Sequence, residues 1–166
     1  MTKHSFDWKG YHLTDAAQAF KLDAAHALLA NSYWSPGIPR DTVEKAARNA
    51  WTFSLIAPDG DFIGMARFIT DRATFAYLAD VIIHPDHRGR GLGKWLVECL
   101  HGLPEILACR RVMLMTADAQ PLYAKIGYQA LAAPERAMEI TRPDIYRHAA
   151  RASITAPSID PTARPD

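Results

Sequence analysis

The chain has 166 residues, 49% of them hydrophobic and 22% charged, with a formal net charge of +1. That length suits one domain with a core that needs no disulfide or metal, and the balanced charge excludes a general attraction to nucleic acid or an anionic membrane. Cys99 and Cys109 are the only cysteines; no metal cluster follows from them, and they suit a reduced, cytoplasmic setting.

Met1 to Asp15 carries Lys3, His4, Asp7 and Lys9 without an apolar run, so it does not read as a signal peptide. No segment approaches the ~20 apolar residues of a membrane span. Gly10 to Asp15 alternates polar and apolar residues and predicts a short first strand, with Phe6 and Trp8 preceding it in the same alternation. Leu22, Ala25, Leu28 and Leu29 predict a helix from about Asp23 to Ser32. Two prolines and a glycine in Tyr33–Pro39 stop it. Asp41-Thr42-Val43-Glu44 opens a second helix to about Asn49, with Asp41 or Thr42 as cap. Trp51–Ala57 and Phe62–Thr70 read as a hairpin turned at Pro58–Asp61.

After Asp71-Arg72, the mostly apolar Thr74–Ile83 suits a central strand. Leu92–Leu103 is a helix with Leu92, Leu96, Val97 and Leu100 toward the core, ended or bent by Pro104. Arg111–Thr116 reads as a fourth buried strand, and Ala119–Ile126 as a short helix stopped by Gly127. Tyr128–Leu131 and Ala137–Ile140 read as closing strands. From residue 149 the composition turns to Ala, Pro, Ser and Thr with little to bury. The expectation is a domain over residues 1–148 and a flexible tail over 149–166. Strands that first meander and are then joined through helices give an α/β fold. It has a single mixed β-sheet, antiparallel in its N-terminal part and parallel at the later crossover, flanked by helices.

The densest signal is Asp80 to Leu96: an apolar strand, a short polar bend, a loop with glycines at 89, 91 and 93, and the start of a helix. A helix start offers unpartnered backbone N–H groups and the positive end of the dipole, and glycines let a ligand approach them, so this is a phosphate cradle. It is not a Walker loop, because Arg88 stands where the first glycine belongs and Trp95 follows Lys94. It is not a dinucleotide fingerprint, because Lys94 takes the place of the third glycine.

Arg88-x-x-Gly91-x-Gly93 resembles the acetyl-coenzyme A signature of the GCN5-related N-acetyltransferases, the GNAT superfamily. Asp118 to Tyr128, with Tyr123 four residues before Gly127-Tyr128, is similar to a second block of that family. The resemblance covers about Tyr11 to Tyr146 and implies an enzyme, an acetyl-CoA-dependent N-acetyltransferase. Acetyl-CoA would serve as acyl-donor co-substrate, and no metal is implied. It implies cofactor-binding residues Val81, Ile82 and Ile83, whose backbone would hold the pantetheine arm, and Arg88, Gly89, Arg90, Gly91, Leu92, Gly93 and Lys94 around the diphosphate. It implies Tyr123 as catalytic proton donor to the leaving thiolate, a role a neutral phenol can fill.

The sequence departs from the family at Thr116, where many members carry asparagine. Asp118 reads as a helix cap. Asp80, the only carboxylate on the central strand, reads as the second catalytic residue: a base for the amine, directly or through water, or else a group paired with an arginine. Tyr77 is a weaker alternative. Tyr33–Pro39 reads equally as an acceptor wall and as a tight connection between helices. His84 and His87 lack the further ligands that a metal site needs.

The expected reaction is direct attack by a primary amine of a small molecule in a ternary complex. A peptide or protein acceptor is the alternative within the enzyme class, and a non-catalytic acyl-CoA-binding regulatory module the alternative outside it. The expected partners are a small-molecule amine, with no nucleic acid and no membrane. The oligomeric state is left open, a homodimer included, and the expected location is cytoplasmic.

Overall fold

The computed structural model describes residues 4–148; the tail expected from residue 149 lies outside them. Among these residues one sheet runs in chain order through β1 (Ser5–Trp8), β2 (Tyr11–Thr14), β3 (Trp51–Ile56), β4 (Phe62–Thr70), β5 (Phe75–Ile83) and β6 (Arg111–Met113). Neighbours from β1 to β5 are antiparallel, and β5 with β6 is parallel. The helices are α1 (Leu22–Ala30), α2 (Arg40–Arg48), α3 (Leu92–His101), α4 (Pro104–Leu107), α5 (Gln120–Ala124) and α6 (Ile145–His148). The expected mixed sheet flanked by helices is present. No helix among the described residues is long and apolar enough to cross a membrane.

The first predicted strand is present as β2, and a separate strand precedes it in a hairpin. Lys9 and Gly10 take φ of 51° and 82°, and positive φ at both central residues lets a two-residue turn match the twist of its strands. Phe6 and Trp8 therefore belong to a separate β1, paired with Leu13 and Tyr11. Helix α2 starts one residue before the expected cap. Pro39 stands at its N-cap position, no side chain caps it, and Asp41 lies in its first turn.

Helices cover both faces of the sheet. On one, Leu92, Leu96, Val97 and Leu100 of α3 pack with Phe53, Leu55, Ala66, Phe68 and Leu78. On the other, Ala25 and Leu29 of α1 and Val43 of α2 pack with Met65 and Ile82. Each large apolar side chain so buried contributes about 1.5–3 kcal/mol.

Strand β5 changes face partway. Ala76 and Leu78 belong to the α3 side, yet Ile82, at the same parity, belongs to the α1 side, while Val81 and Ile83 turn toward α3. An extra residue explains the switch. The β4–β5 register shifts between Met65 and Arg67, and Asp80 has φ of 53°. A bulge of this kind exchanges inward and outward positions beyond it.

Strand β6 departs from expectation. It has three residues at the sheet edge, with Arg111 exposed and Val112 and Met113 half-buried, and Met115 beyond it is 71% exposed. Tyr128–Leu131 and Ala137–Ile140 form no strands. Met138 and Ile140 are 97% and 86% exposed. Their alternation is genuine, but Pro134, Glu135 and Arg136 precede it and no ladder or core face receives it. Helix α3 ends at His101, before Pro104, and Pro104 starts the short α4.

Gly64 sits opposite Ile83, and a Cβ there would meet the Ile82 carbonyl oxygen at 2.5 Å, a backbone atom that cannot turn aside. Gly64→Ala is expected to destabilise the fold by about 1–3 kcal/mol, read from urea unfolding as a lower midpoint with an unchanged slope.

Candidate active site

The loop between β5 and α3 begins with a tight turn at Pro85–His87. His84 Nδ1 accepts from the Asp86 N–H at 3.3 Å. Gly89 and Gly91 then take φ of 71° and 84°, and Gly91 is the N-cap of α3. The Trp95 amide is the first to close back, onto the Gly91 carbonyl at 3.1 Å. The amides of Gly89 to Lys94 make no hydrogen bond among the described residues. Six successive donors at a helix start, flanked by glycines with no side chains to obstruct them, fit an anionic diphosphate.

The cations of the loop differ in placement. Arg88 Nε donates to the Ile83 carbonyl at 2.8 Å, and the residue lines both spaces beside the loop. Arg90 donates to the Tyr11 hydroxyl at 3.0 Å and the Asp86 carbonyl at 3.1 Å. Lys94 lies 3.5 Å from Glu98 along α3. The Leu92 side chain is buried in the core, so only its backbone faces the loop.

Strand β5 presents a free edge beside this loop. Its parallel pairing with β6 covers only Phe75–Tyr77 against Arg111–Met113, and beyond it the strands diverge. The His84 N–H donates to the Ile63 carbonyl on β4 at 2.7 Å. By alternation the Ile83 N–H points away from β4, toward the open side. A wide cleft of about 1860 Å³ lies between Asp80–Ile83 on one wall and Leu114–Ala119 on the other. A smaller cavity of about 340 Å³ adjoins the glycines, lined by Val81, Ile83, Arg88 and Leu122 among others. The extended run and the amide cradle together fit a long phosphorylated ligand.

Tyr123 borders both spaces. Helix α5 places it, and the end of that helix is fixed by sequence. Gly127 at φ 104° lets its own N–H reach the Ala124 carbonyl and the Tyr128 N–H reach the Tyr123 carbonyl, both at 3.1 Å, a glycine-dependent C-terminal closure. Tyr128 is anchored in turn. His101 Nδ1 must donate to the Val97 carbonyl at 2.8 Å, so His101 Nε2 accepts from the Tyr128 hydroxyl at 2.7 Å. Burial lowers the His101 pKa, which favours this neutral form.

At the other end of α5, the Ala119 N–H donates to Thr116 Oγ1 at 3.1 Å, so Thr116 rather than Asp118 serves the helix start. The Tyr123 hydroxyl has no hydrogen-bond partner among the described residues. Burial, with Tyr33 and Asp118 nearby, pushes its pKa up to about 12.

Asp80 stands across the cleft and is engaged. Arg67 Nε donates to its Oδ2, and Trp34 Nε1 donates to its Oδ1 at 3.2 Å. The side chains of the Arg67–Asp80 pair are only 17% and 13% exposed. Sequence reading missed Arg67, although a lone arginine inside the apolar run Phe62–Thr70 was the available signal. Tyr33, in the loop that reads as an acceptor wall, accepts through its hydroxyl from the Ala117 N–H at 3.0 Å. The Tyr33–Pro39 loop thus reaches both walls of the cleft, and Tyr77 lines it beside Asp80. Among the described residues no group of three His, Cys, Asp or Glu side chains is placed to hold a metal.

The family profile described as "Acetyltransferase (GNAT) domain" matches residues 49–130. A Gibberella zeae protein designated an acetyltransferase is 34% identical over 135 residues, covering 68% of this chain and 74% of its own length. The glucosamine 6-phosphate N-acetyltransferase of Trypanosoma brucei brucei is 30% identical over 80 residues, covering 44% of this chain and 54% of that enzyme. A crystal structure from Xanthomonas campestris, designated a GNAT-family acetyltransferase, superposes with a TM-score of 0.79 at 34% identity. It covers 82% of this chain and 96% of that one.

The Tyr123 phenol is neutral when buried. Its folded-state pKa lies above the unfolded value, so its contribution to stability is complete below pH ~10 and is lost as the pH rises to about 12. In an ultraviolet titration, Tyr123→Phe should leave the ordinary tyrosine step near pH ~10 unchanged and remove a component at higher pH.

Proposed function

The chain belongs to the GNAT acetyltransferases and is an acetyl-CoA-dependent N-acetyltransferase; on that premise we propose that its acceptor is a primary amine of a small molecule, acetylated by direct attack in a ternary complex. The observation that carries this reading is the position of Tyr123, bordering both the glycine-loop cavity and the wide cleft. A group there can serve a donor in one space and an acceptor in the other. A small acceptor is also supported by the relative named for glucosamine 6-phosphate.

When bound, acetyl-CoA supplies an acetyl group activated as a thioester. In this proposal the amides from Gly89 to Lys94 and the Arg88 guanidinium bind the diphosphate. Val81, Ile82 and Ile83 align the pantetheine arm along the free edge of β5. The Ile83 N–H, turned away from β4, is a fixed donor for a developing oxyanion. Tyr123 holds its proton until a thiolate departs and then gives it up at the hydroxyl oxygen.

Asp80, or a water held against it, takes the proton that the ammonium must lose before attack. Arg67 and Trp34 keep that carboxylate in one orientation. Tyr33, Trp34 and Tyr77 give the acceptor side an aromatic wall.

Isothermal titration should show acetyl-CoA binding, and thiol release should accelerate with members of a panel of small primary amines. Absence of binding at high micromolar ligand would sink the reading. Tyr123→Phe is expected to lower kcat by about 10²-fold with the affinity for coenzyme A nearly unchanged. Unaltered turnover would remove Tyr123 from the mechanism. Asp80→Asn should lower kcat/KM for the amine and shift its pH profile, while coenzyme A binding is kept.

A further inference from the structure

The glycine loop is backed by a part of the fold that the reaction does not use, the tip of the β1–β2 hairpin. Tyr11 is buried at 8% exposure. Its hydroxyl accepts from Arg90 Nη1 at 3.0 Å and stands 3.4 Å from His87 Nδ1. The other Arg90 terminal nitrogen returns to the Asp86 carbonyl at 3.1 Å. One side chain therefore ties three places together: the turn before the glycines, the loop itself and a strand 79 residues away in sequence.

A second contact lies beside the first. The edge of Trp8 is 3.4 Å from where a Cβ on Gly91 would stand. The Trp8 ring also stacks on Trp95 near the start of α3, with centroids 5.6 Å apart and planes 30° from parallel. A residue larger than glycine at 91 would be confined by the hairpin as well as strained by its own φ.

These contacts bear on a physical problem of the loop. Glycines that leave room for a ligand also leave the backbone free, and ordering it at the moment of binding costs affinity. Six amides with no partner among the described residues do not hold themselves in convergence. Something outside the loop must fix it before the ligand arrives, and preorganisation of that kind raises affinity without a new ligand contact.

We propose that the β1–β2 hairpin tip, through Tyr11 and Arg90, is a positioning element for the acyl donor: it fixes the glycine loop so that the amides already converge on the diphosphate. Arg90 serves the diphosphate by way of the loop. Tyr11 touches neither substrate. The inference rests on the reading that the loop binds coenzyme A.

The experiment measures coenzyme A binding by titration calorimetry, and kcat and KM with acetyl-CoA and with acetyl-pantetheine, which lacks the diphosphate. Tyr11→Phe removes one oxygen and preserves the packing. It should weaken coenzyme A binding by about 3- to 10-fold, the worth of one hydrogen bond, and raise the KM for acetyl-CoA to match. It should leave kcat at saturating acetyl-CoA, and kcat/KM with acetyl-pantetheine, within twofold. Arg90→Gln also removes a charge and should weaken coenzyme A binding by at least as much as Tyr11→Phe, and the double variant should be no worse than Arg90→Gln alone.

Unchanged coenzyme A affinity in both single variants overturns the inference. So do equal losses with the two donors, which would mean general damage, and losses that multiply in the double variant, which would mean the residues act separately. Wild-type protein that binds no coenzyme A overturns the loop reading and this inference together, whereas wild-type binding with unaffected variants overturns this inference alone.

Discussion

Asp80 holds a left-handed backbone conformation, a strained state of order 1–3 kcal/mol for a residue with a side chain. The ion pair with Arg67 on the neighbouring strand secures it. Much of the site follows from that pair. The extra residue turns Val81 and Ile83 toward α3 and sends Ile82 into the core beneath α1. It lies just past the last β5 residue that pairs with β6, where the free edge opens. The same carboxylate receives Trp34 from the α1–α2 connection, so the bend of the strand and the wall of the cleft share one anchor.

The opposite wall is set by a different means. Among the described residues the Tyr123 hydroxyl has no polar tether; its place is determined by what precedes and follows it. Thr116 accepts the amide of Ala119, the residue just before α5, Gly127 closes the last turn, and Tyr128 locks onto His101 of α3. The Tyr123 and Tyr128 rings meet edge to face with centroids 5.7 Å apart. A phenol left unbonded by the described residues, on a helix pinned at both ends, is available to a ligand without being mobile. Backbone satisfaction at the two ends of a five-residue helix thus takes the place of direct hydrogen bonding to the functional group.

The parts of this arrangement legible in sequence are those that depend on local chemistry. Three alternating glycines before an amphipathic helix leave few other uses for that stretch, and Tyr123-x-x-x-Gly127-Tyr128 announces both the helix and its stop. The core strands were clear from their apolar runs. What escaped was set by partners distant in sequence. The bulge at Asp80 depends on Arg67, and nothing in the order of residues around Asp80 marks the extra position. Met138 and Ile140 alternate as a strand would, but a strand needs a neighbour, and none is within reach there. Phe6 and Trp8 shared one period with the residues after Gly10, so the turn between them was hidden by the alternation on both sides.

Arg88 and Arg90 are both held by neutral oxygens: a carbonyl for the first, and a phenol and a carbonyl for the second. A carboxylate in those places would have fixed them equally well and cancelled their charge. Here each guanidinium is oriented without a carboxylate partner among the described residues. The chain as a whole carries a net charge of only +1, so attraction for a polyanion is local rather than global. A polyanion diffusing past feels it within roughly one Debye length, ~8 Å at physiological salt. On the proposed reading, in which this loop takes a diphosphate, the two side chains add local attraction, sensitive to ionic strength, to their geometric duties.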